Sequence, residues 1–151
     1  MAKPRVLLDT NVLVSGLVFA LGNEQELLRL AEDRHIVLVL PETVLTEARY
    51  VLAKKFPGFE GLLDIFLRQV EHETVSIGQI MRTVTRFGRQ VLDRKDAPVY
   101  VAVILARPDY AVTGDKSLRA ALRRSLRISR RTEICSSREF LELVRPRKLP
   151  R

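Results

Sequence analysis

Four acidic residues stand at the edges of apolar segments, where a charge needs a reason. Asp9 follows the run Val6-Leu7-Leu8, and aliphatics resume at Val12 after Thr10 and Asn11. Glu47 lies within "PETVLTEARYVL", Asp96 directly precedes "APVYVAVILA", and Asp115 closes "DYAVTGD". Carboxylates gathered in one pocket repel, and each raises the others' pKa unless a cation compensates. An all-oxygen set without His or Cys suits Mg²⁺ or Mn²⁺. A divalent ion held by such a set activates water and stabilises charge on a phosphate during transfer. Each acid also has a plainer use. Asp9 serves as a loop cap, Asp96 as a helix N-cap, Glu47 as a partly solvated helix residue, and Asp115 as a turn residue in "TGDK". Whether the chain brings the four to one place separates the two readings.

The elements around them bear on that question. Val6 to Leu8 reads as a short buried strand. Asn23 to Asp33 reads as a helix, its Asn23-x-x-Glu26 start resembling a capping arrangement. "HIVLVL" (His35 to Leu40) is a second strand, stopped by Pro41. From Pro41 to about Lys55 a long amphipathic helix buries Val44, Leu45, Ala48, Val51 and Leu52. Glu47 falls roughly 40° beyond Val51 at about 100° per residue, on the edge of that stripe and facing the sheet boundary. "GLLDIFLRQV" is a further helix. Between Glu73 and Gln90, "TVSI" reads as a strand and the remainder as a basic loop. "APVYVAVILA" fits either a Val-rich strand or a buried helix with Asp96 as cap and Pro98 in the first turn. "YAVTGD" is a strand and turn, "KSLRAALRRSL" a helix, "TEIC" a strand, and "SSREFLELV" a helix capped by Ser136 or Ser137.

Strands alternating with helices imply parallel βαβ units and a three-layer α/β/α sandwich with a central, mainly parallel sheet. Ligands of such sheets sit beyond the carboxyl ends of the strands. Asp9 and Asp115 each follow a strand and so share that rim. A helix N-terminus at Asp96 points that acid toward the strand ends as well.

The 151 residues suffice for one domain with a real core, and 46% hydrophobic with 29% charged residues is a globular composition. Lys and Arg outnumber Asp and Glu by 26 to 18, and the resulting net charge of +8 favours an anionic partner such as nucleic acid. Lys116, Arg119, Arg123 and Arg127 recur on one helical face beginning just after Asp115, as a guide for a phosphate backbone or a solvated face. Aromatic residues are only 6% with no Trp, which disfavours base stacking as the main mode of binding. The single cysteine, Cys135, excludes an internal disulfide and a Cys-rich metal site, and its apolar context marks it as an inert core residue. No apolar run approaches the roughly 18 residues that span a bilayer. Asp9 and Asn11 interrupt what would otherwise resemble a secretory leader, so a reduced, cytoplasmic protein is expected.

Taken in order, "LLDTNVLVSGL", "PETVLTEARYVL", "DRKDAPVYVAVILA", "DYAVTGDKSL" and "CSSREFLELV" resemble the successive motifs of PIN domains, from Val6 to about Val144. The resemblance implies a Mg²⁺- or Mn²⁺-dependent ribonuclease of the bacterial kind, the toxin of a toxin–antitoxin pair. By resemblance the family's acids fall on Asp9, Glu47, Asp96 and Asp115, with Asn11 and Thr113 supporting them. Asp93 is the rival of Asp96, which is preferred because it directly precedes the apolar helix. The resemblance also settles "APVYVAVILA" as helix, whereas Glu71 to Val91 carries none of these motifs. It implies one nuclease domain over residues 1–144 with a basic tail over 145–151, an RNA substrate, and an antitoxin partner. A homodimer is compatible with all of this. A haloacid dehalogenase-type phosphotransferase needs an acid where this chain has Asn11, and a response-regulator receiver needs an acidic pair. A non-catalytic RNA- or antitoxin-binding module is the competing class, and the complete set of acids disfavours it.

Overall fold

In the computed structural model, which describes residues 2–87 and 94–145, the chain builds one sheet from strands only two to four residues long. The strands are β1 (Arg5–Leu8), β2 (Val37–Val39), β3 (His72–Glu73), β4 (Tyr110–Val112) and β5 (Glu133–Cys135). Every pairing is parallel, in the order β3-β2-β1-β4-β5. The expected α/β/α sandwich with a parallel sheet is what forms.

Alternation along these strands explains the layers. Leu7, Val39, Ala111 and Ile134 lie in register across the sheet and belong to one core. Against that face pack α5 (Ile77–Phe87), α6 (Ala97–Ala106), α7 (Lys116–Arg124) and α8 (Leu126–Ser129). Val6, Leu8, Leu38, Val112 and Cys135 face the other way. They meet α1 (Thr10–Val18), α2 (Asn23–Glu32), α3 (Glu42–Lys55), α4 (Glu60–Gln69) and α9 (Ser137–Val144). The free thiol of Cys135 is buried, and burial followed by the charges of Glu139 and Glu133 pushes its pKa up to about 12. α1 and α2 approach closely at Gly16, where a Cβ would stand 2.5 Å from Leu28 Cδ1 and 2.9 Å from the Glu24 carbonyl.

Three local expectations are corrected. Asn23 does not cap α2; it is the first helical residue, behind a Gly22 cap that has no side-chain bond. "TVSI" is not a strand. The strand is His72–Glu73, and the supposed loop after it is helix α5, which begins at Ile77 with Ser76 Oγ accepting from the Gln79 N–H at 3.2 Å. The helix expected from Lys116 onward ends at Arg124, because Ser125 leaves the helical conformation and caps the separate α8 through the Ile128 N–H. Asp93, the alternative to Asp96, and the tail beyond Arg145 lie outside the described residues. Among the described residues, no helix is long and apolar enough to cross a membrane.

Candidate functional site

Asp9 stands one residue past β1 and caps α1, its Oδ1 accepting from the Val12 N–H at 3.0 Å. Its other oxygen accepts from the Thr113 hydroxyl. Thr113 follows β4, which is hydrogen-bonded to β1, and the Asp9 N–H donates to the Val112 carbonyl at 3.2 Å. The two strand ends are thereby tied by backbone and side chain together. Thr113 Oγ1 also accepts from the Asp115 N–H at 3.1 Å, and Asp115 caps α7 by accepting from the Leu118 N–H at 3.1 Å. One buried hydroxyl therefore sets the spacing of two acids. Arg119, one turn into α7, fixes the Thr113 carbonyl from behind at 2.7 Å.

Glu47 comes from α3 on the opposite wall. It is exposed, and its Oε2 accepts from the Thr10 hydroxyl at 3.0 Å. Asp96 occupies the N-cap position of α6 without a side-chain cap bond, and Pro98 follows in the first turn. Asp9, Asn11, Glu47, Asp96 and Asp115 line one cleft of about 320 Å³, joined there by Thr10, Lys95, Val99 and Leu118. The helices α1, α6 and α7 all begin at this cleft, so their positive ends offset part of its negative charge.

Asp9 is 6% exposed, and burial is the main reason its carboxyl is held above the ordinary range. The Thr113 and Val12 hydrogen bonds pull it down, and the charges of Asp115 and Glu47 push it up again. The donors are all oxygens, so the chemistry of the set fits a hard divalent cation better than zinc. The acids line the walls of the cleft: among the described residues, no three of them meet closely enough to hold an ion as they stand.

Thr10 and Lys95 were missed by sequence reasoning. A hydroxyl residue directly after a strand-end acid was a usable signal for Thr10, which the structure buries; nothing in the pattern marked Lys95. Of the basic stripe expected over Lys116, Arg119, Arg123 and Arg127, the first three belong to α7 and Arg127 does not. Arg119 is bound to a carbonyl of the site. Arg123 donates to the Ile134 carbonyl at 2.9 Å and pairs with Glu139 at 3.5 Å, and Arg127 belongs to α8 and lines a different cleft. Lys116 is left exposed beside Asp115.

The family model of the PIN domain matches residues 5–117, a span that includes all four acids. The chain belongs to the PIN domain family. PIN domains are generally nucleases and generally use divalent metals. Among solved structures, this PIN domain is similar to a chain of VapBC2 from Rickettsia felis, crystallised with a DNA fragment from its promoter. The TM-score is 0.60 at 20% identity, covering 86% of this chain and 98% of that one, which establishes a shared fold. No curated relative matches the chain significantly.

Proposed function

We propose that this PIN domain is a Mg²⁺- or Mn²⁺-dependent endoribonuclease that serves as the toxin of a toxin–antitoxin pair. One observation carries the reading: the cleft collects Asp9, Glu47, Asp96 and Asp115, and the carboxyl of Asp9 is buried there and held above its ordinary range. In this reading Asp9, Asp96 and Asp115 hold the metal, and Glu47 is a further ligand or orients the attacking water. Asn11 lines the same cleft and supports the polar shell, while Thr113 holds Asp9 and the Asp115 backbone in place. When bound, the ion supplies an activated water and charge stabilisation at the phosphodiester. The helix N-termini around the cleft favour the approach of a phosphate once the carboxylates are neutralised.

The antitoxin rests on the family and on the shared fold with VapBC2, and the net charge of +8 suits an acidic partner segment. The test is cleavage of a fluorogenic RNA by purified protein with Mn²⁺, with EDTA, and in Asp9→Asn and Asp96→Asn variants. Metal-dependent cleavage lost in both folded variants is expected. Retained activity in both sinks the site assignment. Growth arrest on expression, relieved by Asp96→Asn, tests the toxin role.

A further inference from the structure

At the opposite end of the sheet lies a larger cleft, of about 460 Å³, with a different composition. Arg107, Arg127, Arg130 and Arg131 line it over Ile104 and Ile128, and no acid takes part in its lining. Arg107 precedes β4 and the other three precede β5, so this cleft sits at the amino ends of the strands whose carboxyl ends carry the acids.

The cleft is held stiffly. The Arg107 carbonyl accepts from Arg5 Nη1 at 3.1 Å, and the buried Thr132 hydroxyl donates to the Pro108 carbonyl at 2.6 Å. Backbone bonds from Arg131 and Thr132 to the Ile128 carbonyl close the turn after α8. Arg107 adopts a left-handed conformation, φ 49° and ψ 55°, at the C-cap of α6, a position that favours glycine. Arginine at this position places its side chain in the cleft at the expense of an easier backbone. One cation is enough to complement the carboxyl end of α6; the rest exceed that need. Arg5, Arg49, Arg138 and Arg145 pair with carboxylates elsewhere on the molecule. Exposed Arg29, Arg34, Arg68, Arg82 and Arg124 stand singly, outside any ion pair within 4.0 Å among the described residues. What distinguishes the cleft is that four guanidiniums share one lining. Among the described residues Arg107, Arg130 and Arg131 appear in no ion pair within 4.0 Å. The carboxylate of nearby Asp109 is engaged by the Arg5 backbone N–H at 2.7 Å.

We infer that this arginine cleft is a second contact site for RNA, remote from the acidic cleft and read through phosphates. The inference rests on the proposed ribonuclease activity for its choice of polyanion. Guanidinium forks bind phosphate oxygens in pairs, and Ile104 and Ile128 offer a floor for sugar or base. Helix α6 connects the two clefts, with Asp96 at its amino end and Arg107 at its carboxyl end. Its ten residues rise roughly 15 Å. An RNA long enough to run beside α6 engages both sites, whereas a very short one reaches only the acids.

The test uses the full chain with and without the triple substitution Arg107→Gln, Arg130→Gln, Arg131→Gln, none of which touches the acidic cleft, with circular dichroism confirming the fold. Binding of a long unstructured RNA is measured by anisotropy in Asp96→Asn protein across a salt series. The triple variant is expected to bind about tenfold or more weakly, with a salt slope smaller by about 2, since each single-strand phosphate contact contributes about 0.7. In the cleavage-competent chain, KM for the long RNA rises while turnover of a tetranucleotide is unchanged. Unchanged affinity and slope overturn the inference. So does loss of polyglutamate binding with RNA binding intact, which assigns the cleft to an acidic protein segment. If the parent chain binds RNA through these arginines but cleaves none, the nuclease reading fails and the contact site stands.

Discussion

At the carboxyl ends of β1 and β4 the charges are carboxylates seated on helix N-termini, whereas at the amino ends of β4 and β5 they are guanidiniums on the C-cap of α6, on the four-residue α8 and on the turn that follows it. The acids are embedded in the fold: Asp9 and Asp115 cap helices and share the Thr113 hydroxyl. The arginines stand on backbone fixed by other residues, chiefly Arg5 and Thr132. A site that does chemistry needs its groups held to fractions of an ångström, and secondary bonds supply that. A site that grips a backbone needs charge in the right region, and long side chains on a stiff turn suffice. The two ends should therefore respond differently to perturbation.

The largest expected effect is at Asp96. Asp96→Asn should lower RNA turnover at least about a hundredfold with cooperative melting retained, since no cap hydrogen bond to α6 is lost. Binding of a long RNA should survive. Loss of binding along with turnover would dissolve the distinction between the two ends.

Next is Asp9. Its carboxyl is held above its ordinary value of 3.8, mainly by burial, so the folded state prefers the protonated form. Without metal, the contribution of Asp9 to stability is greatest at low pH, is lost as pH rises through its folded pKa, and stays lost at neutrality. Melting in EDTA between acid and neutral pH should show that loss as the difference between the parent and Asp9→Asn, with Asp9→Asn no less stable than the parent at pH 7. Added Mn²⁺ should raise the parent's melting temperature and leave that of Asp9→Asn unmoved. A parent insensitive to Mn²⁺ would break the claim that the acidic end awaits a cation. The arginine triple variant comes third, changing KM and salt response without affecting the short-substrate rate.

The smallest effect separates two substitutions at one position. Asp115→Ala should cost about 1 kcal/mol in denaturant unfolding through loss of the α7 cap, and Asp115→Asn a few tenths. Both should impair turnover. Equal stabilities would mean that the cap seen at Leu118 contributes little.

The acidic end was legible in the sequence because its residues coincide with punctuation. Asp9 ends a short apolar run, Asp115 follows another, and Pro98 marks the start of α6 directly after Asp96. Even with that proline, α6 was ambiguous until the family resemblance settled it as helix, for Tyr100 to Val103 are all buried and leave no period to read. β3 was illegible because it is His72–Glu73, two polar residues whose strand conformation comes from β2: the Leu38 and Leu40 N–H groups donate to the Glu71 and Glu73 carbonyls. α5 was hidden by Gly78, Thr83 and Thr85, which weaken a helical pattern carried by Ile77, Ile80 and Val84. Arg127 was assigned to the α7 face because helical spacing runs on through Ser125, although serine there caps a new helix. The arginine cleft draws on two separate stretches of chain, residues 103–107 and 127–132, and no local pattern announces such a set.

The double duty of Asp9 and Asp115 bears on how relatives of this chain can be read. A descendant that had abandoned catalysis would still need a capping side chain at both positions, so Asp or Asn would persist there for the sake of α1 and α7. Position 96 carries no such cap. Under the proposed function, an acid at 96 therefore tells more about chemistry than the two acids that first draw the eye, whose presence a helix start already explains.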